Sequence, residues 1–258
     1  MSNYSFIDSG GEKRYLALHL RTMEPGDLRC CSGVVGAEGA PQLIPRSEWP
    51  KEGRSIQSAV QRILDQNGLN YCWDYGPCGA FEAYRHLAGF AHIDLSPVSL
   101  APAANFRNEG LSLQEAAAQL KNVGLAPESI IKGRDYQGRD WPQDWKKYAA
   151  QYRAIRLWEA QYQQCFDALV SGIIQGQPVV LGTDAFGGGH CVWACAFGFD
   201  NGSWWAKGPN SWGLSYTNCN EPGYWKYSER HLTGLDNYGV YVIQAESVPD
   251  ADVPPEPA

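Results

Sequence analysis

Residues 178–213 read PVVLGTDAFGGGHCVWACAFGFDNGSWWAKGPNSWG. Short runs of β-branched and aromatic residues, VVLGT (179–183), CVWACAFGF (191–199) and SWWAK (203–207), are separated by glycine, asparagine and proline, the pattern of strands joined by turns. Asp200-Asn201-Gly202 between the second and third runs supplies residues that tolerate the left-handed backbone of a tight hairpin. Two further runs, GYWKY (223–227) and YGVYVI (238–243), continue the pattern.

Upstream of Pro178 the period changes from 2 to 3.6. Residues 113–123 place Leu113, Ala116, Ala117, Leu120 and Val123 on one face, Ser112 and Glu115 form a capping box ahead of them, and Gly124 supplies a left-handed stop. Residues 78–89 carry Phe81, Tyr84, Leu87 and Ala88 and end at Gly89, and a third helix carries Phe166, Leu169, Val170, Ile173 and Ile174 and closes at Gly176. Helices first and antiparallel strands second define an α+β chain. The expected arrangement is a helical lobe over about residues 45–175, a β lobe over about 176–247, and a ligand cleft between them.

Composition narrows the function. The chain has 258 residues, 44% of them apolar, enough for a substantial core. Its 28 glycines and 16 prolines are about one residue in six, against a usual share of about 12%, which argues against an all-helical bundle. A net charge of −7 with no basic cluster speaks against nucleic acid as a partner. The longest apolar run, Val179-Val180-Leu181, is far short of the roughly 20 residues that span a bilayer, and the N-terminus lacks the organisation of a signal peptide. These features predict a soluble, cytoplasmic chain with no membrane partner. Eight cysteines are too dilute for a disulfide scaffold, and without Cys-x-x-Cys pairs they suggest neither a metal site nor any other cofactor. Residues 1–44, with Gly33, Gly36 and Gly39, read as an extension or arm available to an assembly partner, and residues 248–258 as a disordered acidic, proline-rich tail.

Three stretches carry groups capable of chemistry. In Asp65-Gln66-Asn67-Gly68-Leu69-Asn70-Tyr71-Cys72-Trp73, a thiol precedes a helix, where unpaired N–H groups and the helix dipole favour a thiolate; a buried structural cysteine fits the same spacing. In Gly187-Gly188-Gly189-His190-Cys191, a histidine enters an otherwise apolar strand and needs a partner for each ring nitrogen, whether as a base or as a satisfied core residue. In Asn210-Ser211-Trp212-Gly213, an amide oxygen is available to orient an imidazole, although the four residues alone amount to a turn.

In the order Gln66…Cys72-Trp73…His190…Asn210-Ser211-Trp212-Gly213, the three stretches resemble the papain-like cysteine peptidases. His190 follows Cys72 by 118 residues and Asn210 follows His190 by 20. Leu95-Ser96 resembles the family's Leu-Ser after its central helix, and Gly223-Tyr224-Trp225-Lys226 its Gly-Tyr-aromatic strand. The resemblance implies a papain-like two-lobed fold and a peptide or protein substrate. It also implies Cys72 as nucleophile, His190 as base, Asn210 as its orienting partner, Trp212 as the shield of that hydrogen bond and Gln66 as an oxyanion donor.

The chain departs from the family pattern in several places. Gly76-Pro77 falls where the central helix would be in its second turn, and proline there removes a backbone hydrogen bond. A second frame starts the helix at Pro77 and makes Cys78 the nucleophile within Gly76-Pro77-Cys78-Gly79-Ala80-Phe81. The stretch before the catalytic region is shorter than the family's inhibitory propeptide. That feature resembles divergent papain-like proteins of bacteria and their phages and implies a bacterial or infected-cell cytoplasm, or association with a virion. Acyl transfer or hydrolysis at a peptide or isopeptide bond is the implied activity, with a non-catalytic papain-fold component of a larger assembly as the alternative.

Overall fold

A computed structural model describes residues 4–7, 13–16, 42–154, 156–160 and 163–244. The expected tail and most of the expected arm lie outside these residues. In chain order the elements are β1 (Tyr4–Ile7), β2 (Lys13–Leu16), β3 (Arg54–Ser55), α1 (Cys72–Leu87), α2 (Leu113–Asn122), α3 (Trp145–Ala149), β4 (Arg156–Glu159), α4 (Cys165–Ile174) and β5 (Val179–Thr183). They continue with β6 (His190–Ala194), β7 (Ala196–Asp200), β8 (Ser203–Pro209), β9 (Tyr224–Ser228), α5 (Leu235–Tyr238) and β10 (Val240–Gln244). All strand pairs are antiparallel, in a β1-β2 hairpin and two four-stranded sheets ordered β4-β10-β5-β6 and β3-β7-β8-β9.

The sheet β4-β10-β5-β6 is a wall between two hydrophobic cores, and the period-2 alternation of its strands assigns each side chain to one of them. Val180, Cys191, Trp193, Tyr241 and Ile243 join the core of α1 and α2, while Val179, Leu181, Val192, Ala194, Val240 and Val242 join the core of α4 and the second sheet. Burial on both faces explains why these strands read as near-continuous apolar runs rather than alternating ones. CVWACAFGF is two strands because the chain changes sheets at Cys195. The corner is tight, since a Cβ on Gly208 would lie 1.8 Å from the Trp193 carbonyl oxygen, so β8 can cross β6 only with glycine there.

The helices follow their caps. Ser112 Oγ accepts from the Glu115 N–H while the Glu115 side chain accepts from the Ser112 N–H, and Gly124 has φ +89°. Asn201 and Gly202 both have positive φ in the β7–β8 turn, as a two-residue hairpin requires. The helix expected over 78–89 begins six residues earlier, at Cys72, and runs through Pro77. The proline ring faces Leu113, Ala117, Leu120, Val180, Tyr241 and Ile243, so its burial between α2 and the wall outweighs one missing backbone bond.

The stretch before Pro178 also supplies β3 and β4, two short strands that complete sheets built mainly from residues after it. Residues 42–49 lie against α4: Ile44 N–H donates to Ser171 Oγ, Gln42 and Gln175 exchange hydrogen bonds, and Arg46 bridges Asp167 and Glu229. Among the described residues no helix is long and apolar enough to cross a membrane.

Candidate active site

The helix α1 packs against the strand β6. Gly76 and Gly79, one turn apart on α1, face β6: a Cβ on Gly76 would lie 2.7 Å from Cys191 Sγ, and one on Gly79 2.8 Å from Trp193 Nε1. Absent side chains at these two positions let the helix that begins with Cys72 lie directly on the strand that begins with His190. Cys72 and Cys191 are near enough for charge on one to be felt by the other, and the same holds for Cys72 and Tyr238.

The segment leading into the helix is held from both sides. On one side the Asn70 N–H donates to Asn108 Oδ1, Asn70 Nδ2 to the Asn108 carbonyl, the Tyr71 hydroxyl to the Arg107 carbonyl and Trp73 Nε1 to the Glu109 carbonyl. On the other, the Arg62 guanidinium bonds Glu82 of α1, 2.7 Å away, as well as Glu128 and the Leu95 carbonyl. The bonds to residues 107–109 fix the start of α1, where the Asp74 and Tyr75 N–H groups donate to the Tyr71 carbonyl, and Arg62 ties the approaching segment to the third turn of the helix.

His190, Asn210, Ser211 and Gln66 form one buried network. His190 Nε2 lies 3.0 Å from Asn210 Oδ1. That oxygen also accepts the Ser211 N–H at 2.7 Å, so the amide presents its carbonyl and Nε2 must carry the proton. A neutral His190 therefore keeps its lone pair on Nδ1, which has no hydrogen-bond partner. Ser211 Oγ donates to Gln66 Oε1 at 2.6 Å, and the Gln66 N–H donates to the Ser211 carbonyl. Gln66 Nε2 spends one hydrogen on the Leu69 carbonyl, leaving the other for a ligand.

Trp212 stacks on the imidazole with ring centroids 4.3 Å apart. Gln66, Cys72, His190, Asn210 and Trp212 are all buried, Cys72 and His190 completely. Burial drives the His190 imidazole down to about 4, with the Asn210 hydrogen bond pulling in the opposite direction. The closed site thus favours a neutral imidazole, and an imidazolium there needs a thiolate beside it to offset the lost hydration. Cys78 sits six residues along α1 in the core, where its thiol donates to the Leu95 carbonyl and burial, with Glu82 nearby, pushes its ionisation well up. Among the described residues no group of three His, Cys, Asp or Glu side chains is arranged to hold a metal ion.

Solved structures share this architecture. Xylellain, a cysteine protease from Xylella fastidiosa, superposes with a TM-score of 0.65 at 15% identity, over 78% of this chain and 88% of its own. The chain has the papain-like fold. Digestive procathepsin L 3 of the Tenebrio molitor larval midgut superposes at 0.62 with 20% identity, over 77% and 72% of the two chains, and procathepsin B S9 of Trypanosoma congolense at 0.60 with 14% identity, over 78% and 80%. No protein-family model matches the sequence, and no curated protein matches it either. Within the papain-like fold, two participants escaped the sequence reading. Ser211 was legible only as part of a turn, yet its hydroxyl and carbonyl hold Gln66. Phe186, which packs edge-on against His190, precedes the three glycines and carries no polar signal.

Proposed function

We propose that the chain is a cysteine peptidase with Cys72 as nucleophile, His190 as base, Asn210 as orienting amide and Gln66 as oxyanion donor, acting on a peptide or isopeptide bond. The tautomer of His190 carries the reading: Asn210 holds the proton on Nε2, so the unpartnered Nδ1 lone pair is the basic position. In the reaction the Cys72 thiol gives its proton to Nδ1 and the sulfur attacks the carbonyl carbon. The resulting oxyanion accepts from the remaining Gln66 Nε2–H and from the Cys72 backbone N–H. The C–N bond breaks as Nδ1–H protonates the leaving amine, and a water molecule or a second amine, deprotonated by His190, then releases the acyl group from sulfur. Trp212 keeps water from the His190–Asn210 bond. Cys78, held in the core with a strongly disfavoured thiolate, suits a structural role.

A non-catalytic, papain-fold binding component is the second reading, and the complete burial of Cys72 and His190 favours it. One experiment separates the two: mass mapping of modification by an epoxide that attacks ionised thiols, in the wild-type protein, Cys72→Ala and His190→Ala. The catalytic reading expects labelling at Cys72 that disappears in Cys72→Ala and slows in His190→Ala. Labelling at Cys78 moves the nucleophile to that residue. A folded protein that takes no label establishes the binding component.

A further inference from the structure

The imidazole of His190 forms a cluster with two aromatic rings that also touch each other. Trp212 covers one face, with the ring planes 24° apart. Phe186 stands against the ring with centroids 4.9 Å apart and planes 74° apart, and meets Trp212 at 5.5 Å in the same edge-on sense. All three side chains are buried. One ring on its face and a second at its edge, in contact with each other, hinder the imidazole from turning about its Cβ–Cγ bond, and turning would break the single hydrogen bond that fixes its tautomer.

Phe186 is held there by a short, closed loop. It lies in the β5–β6 connection, whose register pairs Thr183 with His190. Thr183 Oγ1 accepts the Ala185 N–H, the Gly187 N–H closes back onto the Asp184 carbonyl, and Asp184 binds the Tyr238 hydroxyl and, through its N–H, the Thr233 carbonyl. Gly187 makes the turn at φ +91°. The loop is thus tied to α5 and its approach, and its single large apolar side chain is directed inward.

We propose that Phe186 is a positioning residue for His190: with Trp212 it clamps the imidazole in the plane that keeps Nε2–H on Asn210, and it excludes water from the ring. The proposal rests on the reading of His190 as the base, but its physical content is measurable in the resting protein. The ring's surroundings are uncharged: the Asn210 amide, the two aromatic rings and Thr183, with Asp184 turned to Tyr238 and the Cys72 thiol as the titratable neighbour under the proposed mechanism. Water exclusion therefore controls the ring's protonation, and opening the clamp must show itself as easier protonation.

The test is an NMR titration of the His190 ring proton, assigned by its absence from His190→Gln, in wild type, Phe186→Leu and Phe186→Ala without substrate. The midpoint is expected to rise from about 4 by about one unit or more in the alanine variant and by less in the leucine variant. With a peptide substrate, kcat should fall about 10- to 100-fold in Phe186→Ala with KM little changed, the mark of a misaimed base, and Phe186→Tyr should restore most of it. An unchanged midpoint in the variants overturns the proposal; if Phe186→Ala fails to fold, Phe186→Leu decides. A shifted midpoint in a protein that hydrolyses nothing leaves the clamp standing and refutes the peptidase.

Discussion

Replacing Gly76 with alanine tests whether the approach of α1 to β6 sets the site. The added Cβ would stand 2.7 Å from Cys191 Sγ, and ordinary contact begins at 3.4 Å, so helix or strand must yield by 0.7 Å. Cys191 is fully buried, and the next atoms met, 3.5 Å away, belong to the strand's own backbone at Cys191 and Val192. The displacement therefore passes into β6, whose first residue is His190. Overpacking of this kind costs about 1–3 kcal/mol, and the better helix propensity of alanine offsets about 1 kcal/mol of it. The expected net loss is about 0–2 kcal/mol, with turnover down by about 10- to 100-fold as the base moves. Cys191→Ala removes the obstructing sulfur, so the double variant should recover. Urea unfolding of the wild type, both single variants and the double variant should return a favourable coupling of about 1–2 kcal/mol. Effects that add to within about 0.5 kcal/mol would refute the idea that this contact limits the approach.

Gln66→Ala should lower kcat by about 100-fold with KM little changed, because the donor acts on charge that develops in the transition state; equal kcat in variant and wild type moves the oxyanion site elsewhere. Asp74 is wholly buried, its carboxyl held well above the usual range by desolvation and bonded only through Oδ2 to the Leu100 N–H. The folded chain keeps a proton that the unfolded chain releases above pH 3.8, so this group's stabilisation is complete below that pH and declines as pH rises. Asp74→Asn should accordingly unfold at a higher urea concentration than wild type at pH 7 and show no such gain near pH 3.5, and a less stable variant at pH 7 contradicts the buried acid. His190 acts in the opposite sense: with a folded value near 4 against 6.5 unfolded, its contribution is full above pH 6.5 and is lost as pH falls towards 4, by about 3 kcal/mol in all. Urea midpoints followed from pH 7 to 4 should flatten in His190→Gln, and an equally steep fall there assigns the acid limb to other groups.

The strands were legible because each run of β-branched and aromatic residues ended at a turn residue, and α2 because Ser112, Glu115 and Gly124 mark both its ends. The start of α1 was less so. Pro77 argues locally for a helix boundary, and only the packing of its ring between α2 and the wall reverses that argument. β3 and β4 are too short to show a period and form because edges of the two sheets accept them. Gln66, His190 and Asn210 were legible through order and spacing, and the structure joins them through Ser211. Phe186 and Ser211 were not, since their roles depend on which rings and amides the β5–β6 and β8–β9 connections bring near them.

Three of the four bonds that hold residues 70–73 to residues 107–109 end on main-chain carbonyls, and only Asn108 contributes a side chain. The support beneath Cys72 thus recognises the course of the neighbouring loop rather than its chemistry. Arg107, two-thirds exposed at its side chain, and Glu109 can each be exchanged without releasing the helix start, whereas Asn108 cannot. A loop built this way can diverge in the side chains it shows to solvent while residues 70–73 keep their place, so the face of the loop and the seating of the helix start are free to change separately.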